Sequence, residues 1–133
     1  MKKPNYKLKL SPAYMGALTD TLTHWHLMID WARKQPPDAE PDADKMEAHL
    51  GESWYGDYCP LCQLTLKHAN SCKPCPLYRI AGVPCDDLNH PSKWVYLSDC
   101  ATWRGWLLYA NQMIAVLNNI ALNATMEEQH EDT

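Results

Sequence analysis

The sequence predicts a mainly α protein in which two long helices form an antiparallel hairpin around an inserted cysteine-rich knuckle. Three observations predict it. Two segments, one towards each end, carry apolar residues at alternating steps of three and four. Five of the six cysteines fall between Cys59 and Cys85, in the middle of the chain. That middle stretch has no sustained helical or strand period, so something other than a large apolar core must hold it. At 133 residues and 46% hydrophobic composition, residues 1–133 fit a single domain. Such a domain can bury a core and still gain from a staple.

The first long helix is predicted over 11–35. Ser11 suits the N-cap, and Pro12 suits the first helical position, where its missing N–H costs nothing. Met15, Leu18, Leu22, Trp25, Ile29 and Ala32 form a seam for lengthwise packing, and Pro36-Pro37 cannot continue it. Residues 36–53 read as an exposed, mobile acidic linker, P-P-D-A-E-P-D-A-D, followed by a short helix that Asp44 caps and Gly51 closes. His49 in that helix reads as an ordinary surface or half-buried histidine.

Residues 54–97 hold the cysteine module and a loop. Gln63 to Asn70 forms a helical turn or two, and Asn89-His90-Pro91-Ser92 signals a turn. The last helix is predicted over 98–124, capped by Ser98 or Asp99. Its seam is Trp103, Trp106, Ala110, Met113, Leu117 and Ile120, reinforced by Leu107, Ile114 and Ala121. Residues 125–133 are an acidic tail, with Glu127, Glu128, Glu131 and Asp132. Lys2, Lys3, Lys7 and Lys9 make the opposite end basic, and both ends read as solvated.

The cysteines carry the chemistry. Cys59-Pro60-Leu61-Cys62 and Cys72-Lys73-Pro74-Cys75 are two Cys-x-x-Cys pairs, the usual spacing of a structural zinc site, and Cys85 follows. The candidate metal ligands are therefore Cys59, Cys62, Cys72, Cys75 and Cys85, serving one structural Zn2+ per chain. Two quartets remain open, both built on Cys59 and Cys62: one adds Cys72 and Cys75, the other Cys75 and Cys85. Pro74 weakens Cys72, because it removes an N–H that a knuckle would aim at the sulfur. His68 lies within reach but competes with five sulfurs, and Cys100 reads as a small buried residue.

Other chemistries fit less well. An iron–sulfur cluster can use the same thiolates. A redox dithiol wants a strand before the first cysteine and a helix starting at it within a βαβ pattern, and neither is signalled. A zinc deaminase needs H-x-E and P-C-x-x-C; here His49-Leu50-Gly51-Glu52 has one residue too many and Tyr58 precedes Cys59. Four sulfurs leave zinc no open position for water, so no catalytic or cofactor-binding residues are assigned and the chain is not expected to be an enzyme.

The run C59-P-L-C62, C72-x-x-C75-P76-L77, G82-x-x-C85 resembles a pattern in small cysteine-rich proteins of tailed bacteriophages. Members also often carry a His-Trp pair on an upstream helix, comparable to His24-Trp25. The resemblance covers Cys59 to Cys85 firmly. It implies a zinc fold and a phage source, and it supplies no reaction.

The expected function is a zinc-stabilised interaction protein that binds, and so inhibits, a host protein such as a defence component; a phage protein is the other candidate partner. Six Trp and seven Tyr agree with binding hot spots, with Trp31, Trp54 and Trp94 the candidates for exposure. A net charge of −4 argues against general nucleic-acid binding, although Lys67, Lys73 and Arg79 among the cysteines keep that alternative open. A small-molecule or nucleotide binder is the third class, and no glycine-rich phosphate loop encourages it. No run of 18 apolar residues is present to span a membrane. The basic start lacks the apolar stretch of a signal peptide, so the expected location is the host cytosol. Either a monomer or a homodimer is compatible with two such helices.

Overall fold

The structure, a computed structural model, describes residues 7–68 and 71–126. The His68 side chain, Lys2, Lys3 and the acidic tail from Glu127 lie outside the described residues. The fold is mainly helical. In order come β1 (Lys9–Leu10), α1 (Pro12–Ala32), α2 (Ala43–Leu50), α3 (Pro60–His68), α4 (Pro76–Ala81), α5 (Trp103–Asn123) and β2 (Thr125–Met126). Short 3-10 turns occupy Gly56–Tyr58 and Trp94–Asp99.

The seams expected from the sequence form the core. Leu18, Trp25, Ile29 and Ala32 of α1 are buried against Trp103, Trp106, Ala110, Met113, Leu117 and Ile120 of α5. Contacts run in opposite order along the two helices: Trp31 meets Trp103 edge-on at 5.4 Å, and Trp25 stacks on Trp106 at 6.4 Å. Beyond them the chain before α1 pairs with the chain after α5. β1 and β2 form a two-residue parallel ladder, Lys9 with Thr125 and Leu10 with Met126. That pairing is invisible in the sequence, because two residues carry no period.

Several boundaries, caps and exposures differ from expectation: α2 is capped by Asp42, whose carboxylate accepts the Lys45 N–H, with Asp44 inside its first turn, and α3 begins at Pro60, ahead of the expected Gln63. Ser11 caps α1 as expected, its hydroxyl accepting the Tyr14 N–H, but the helix stops at Ala32 instead of Gln35. The amides of Lys34 and Gln35 turn back to Trp31 and Ala32 carbonyls, a tightening suited to a segment that must meet Pro36. The last helix starts at Trp103, not Ser98, because Trp94–Asp99 winds as a 3-10 turn that buries Leu97, and Thr102 supplies the cap to the Gly105 N–H.

The acidic linker is exposed in its side chains yet docked through its backbone. Carbonyls of Ala39 and Pro37 accept the Trp103 and Arg104 amides at 2.9 and 3.0 Å, and Asp38 pairs with Arg104. A helix start always leaves such amides without an intrahelical partner, and the linker satisfies them. Finally, Trp54 is buried rather than exposed. It packs on Trp103 and Trp106 while its Nε1–H donates to Ser98, so its polar edge is satisfied inside the core. Trp31 and Trp94 are half-buried.

Candidate metal centre

Cys59 and Cys75 are placed by the same device used twice. Each is the residue immediately before a helix, each is followed by proline, and each offers its carbonyl to the first turn, to Gln63 and Arg79 respectively, at 2.9 Å. Proline suits the first helical position, so Cys-Pro fixes where each helix starts. The first-turn amides then face the sulfur: Leu61 and Cys62 for Cys59, Leu77 and Tyr78 for Cys75. Positive helix ends and N–H donors both favour a thiolate there. The second pattern residue, Cys62, sits on the first turn of α3, beside Cys59. This corrects one ground used against a redox dithiol: a helix does start at the first cysteine, although a 3-10 turn, Gly56–Tyr58, and not a strand leads into it.

The thiols are not equivalent. The Cys62 thiol hydrogen-bonds to the Cys59 sulfur, and this bond, aided by the amides and opposed by burial, pulls Cys59 down to about 7. The same bond pushes Cys62 well above the ordinary thiol range. Burial pushes Cys75 up to about 11, and burial with the neighbouring Cys75 and Cys59 thiols raises Cys85 further. A cation brought among these sulfurs would reverse that preference, since it favours their charged form.

Two other elements complete the frame. α1 pins α3, with Thr21 Oγ1 accepting the Leu61 N–H at 3.3 Å and Tyr14 hydrogen-bonded to Thr65 at 2.9 Å. The loop carrying Cys85 is anchored by His90, a fully buried imidazole whose Nε2–H donates to the Leu77 carbonyl at 2.7 Å while Nδ1 accepts the Ser92 N–H at 3.0 Å. The Asn-His-Pro-Ser turn thus ties the loop to α4.

The result is one cavity of about 420 Å³ lined by all five candidate cysteines, with Trp25, Trp54, Leu77, Tyr78 and Met113 among its walls. Cys75 is buried, Cys59, Cys62 and Cys85 are half-buried, and Cys72 is exposed at the rim. Among the described residues no three His, Cys, Asp or Glu side chains are already closed around a point an ion would occupy. The cysteines share the cavity without forming a finished tetrahedron. As a donor set, soft sulfurs with helix-end amides behind them fit zinc or an iron–sulfur cluster better than magnesium or calcium.

Cys100 stands apart, its thiol donating to the Tyr96 carbonyl. His49 lies on the surface against Trp31. One cavity residue was missed as a site candidate in the sequence: His24, buried on α1 and hydrogen-bonded through Nδ1 to Glu52. Its signal was its place one turn after Thr21, legible only once α1 and α3 are known to touch. Among the described residues no helix is long and apolar enough to cross a membrane. No family model, no curated protein and no solved structure matches this chain.

Proposed function

We propose that the chain is a non-enzymatic interaction protein of the phage type, in which a structural zinc ion holds a knuckle module inserted in an antiparallel helical hairpin. The observation that carries this reading is the convergence of five cysteines, from three separate segments, on one apolar cavity. Cys59, Cys62, Cys75 and Cys85 are the donor pool, because their thiols are at least half-buried whereas Cys72 is exposed. Zinc would draw these thiolates together and couple α3, α4 and the Cys85 loop, supplying folding free energy to a segment with little core of its own.

A protein partner in the host cytosol, such as a defence component, is favoured over nucleic acid by the surface. The outer side of α5 exposes Leu108 (71%) and Leu122 (85%), and from Gly105 to Asn123 the helix carries no charged residue. Such a face offers no positive charge to phosphate and suits an apolar contact. The test is a binding assay of zinc-loaded chain against fractionated host proteins, with Leu108→Asp/Leu122→Asp as control. Capture that survives the double change, or a salt-sensitive shift of DNA in its place, counts against the reading.

A second reading rests on one observation, the Cys59–Cys62 pair at the start of α3. A dithiol at a helix N-terminus with one low and one high thiol suits disulfide exchange. A chain purified metal-free, with a Cys59–Cys62 disulfide that glutathione reduces reversibly, would favour it over zinc.

A further inference from the structure

We propose that His24, held by Glu52, is a nitrogen ligand of the metal centre. The site is then three thiolates and one imidazole, drawn from His24, Cys59, Cys62 and one of Cys75 and Cys85. This rests on the metal reading above and changes its ligand set.

Three observations converge. His24 is only 5% exposed and lines the same cavity as the cysteines. Its Nδ1 is hydrogen-bonded to the Glu52 carboxylate, which fixes the tautomer with the proton on Nδ1 and leaves the Nε2 lone pair uncommitted. No hydrogen bond reaches Nε2 among the described residues, although the ring is buried. A carboxylate behind a cavity-lining histidine whose other nitrogen has no protein partner is the usual support for a metal-binding imidazole. The residue one turn earlier, Thr21, already touches the start of α3 through the Leu61 amide, so α1 places this ring on the cysteine side of the helix.

Charge points the same way. Zinc with four thiolates carries two net negative charges, and with three thiolates and an imidazole only one. Among the described residues no lysine or arginine lines the cavity, and Asp86 adds a further negative group. Burying one uncompensated charge costs less than burying two. A neutral imidazole therefore relieves a site that its walls do not neutralise. It leaves two sulfurs, Cys72 and one of Cys75 and Cys85, outside the coordination sphere.

X-ray absorption at the zinc edge, on the full chain loaded with zinc alone, tests the assignment. The expected spectrum shows three sulfurs at about 2.3 Å and one nitrogen at about 2.0 Å, with the outer-shell scattering of an imidazole. His24→Ala is expected to remove the imidazole signal. Glu52→Gln, which keeps the shape of the pair, is expected to weaken zinc binding about 10- to 100-fold. Four sulfurs without imidazole scattering in the zinc-loaded chain, or an imidazole signal that persists in His24→Ala, overturns the assignment while leaving the metal reading intact. A chain that takes up no zinc overturns both.

Discussion

At the scale of single residues, His90 shows how a polar group can organise a loop from inside. Its two nitrogens are used in opposite senses, one donating to Leu77 and one accepting from Ser92, so only the neutral ring fits. Burial, the largest influence, holds its imidazole below the ordinary value of 6.5, against the Leu77 carbonyl and Asp87, which pull the other way. The unfolded chain then binds the proton more readily than the folded one. The contribution of His90 is complete above pH 6.5 and is lost as pH falls below it, towards the depressed folded value. Thermal melting at pH 7.5 and 5.5 should show a larger acid-induced loss in the wild type than in His90→Asn. The comparison cancels acid release of bound metal, which both share. The sequence marked His90 only as part of a turn, since nothing in Asn-His-Pro-Ser says that the ring will be buried.

At the scale of elements, the periodic segments were legible and the aperiodic ones were not. The α5 seam from Trp103 to Ile120 is buried at every expected position, because a helix repeats its environment every three to four residues. The start of α5 was misplaced because Ser98 and Asp99 are equally good caps by chemistry, and the choice was made by the linker carbonyls that reach Trp103 and Arg104. Thr102→Ala, which removes the acceptor for the Gly105 N–H, should cost about 1 kcal/mol in chemical denaturation. Trp106 is fully buried where Trp25, Trp54 and Trp103 meet, so Trp106→Ala should cost about 3–5 kcal/mol by the same measurement. The α4 helix escaped the sequence reading for a different reason. Six residues are too few for a period, and the Cys-Pro repeat at 59–60 and 75–76, which the structure places at two helix starts, was not read as a helix signal in the sequence.

For the whole molecule, the chain divides into a part that packs itself and a part that gathers cysteines. The tryptophan-rich interface of α1 and α5 packs through its own side chains. The segment from α3 to the His90 loop is tied to it by hydrogen bonds and by Leu61, Cys75 and Leu77, which lie in the same buried core, and it surrounds the cysteine cavity. The five candidate cysteines were legible as a group from spacing alone, and the structure adds their different burial. The contribution of α1 to the cavity was not legible, because His24 is far from the cysteines along the chain. If zinc couples these segments, its removal by a strong chelator should lower the melting temperature and loosen residues 59–92 before the helical pair, as read by hydrogen exchange.

The most direct test of the central claim is native mass spectrometry with elemental analysis on chain purified without chelator, alongside Cys59→Ser and Cys100→Ser. The account predicts one zinc per chain, lost in Cys59→Ser and kept in Cys100→Ser. Iron in place of zinc, a metal-free chain with disulfides, or zinc that follows Cys100 instead of Cys59 would contradict it.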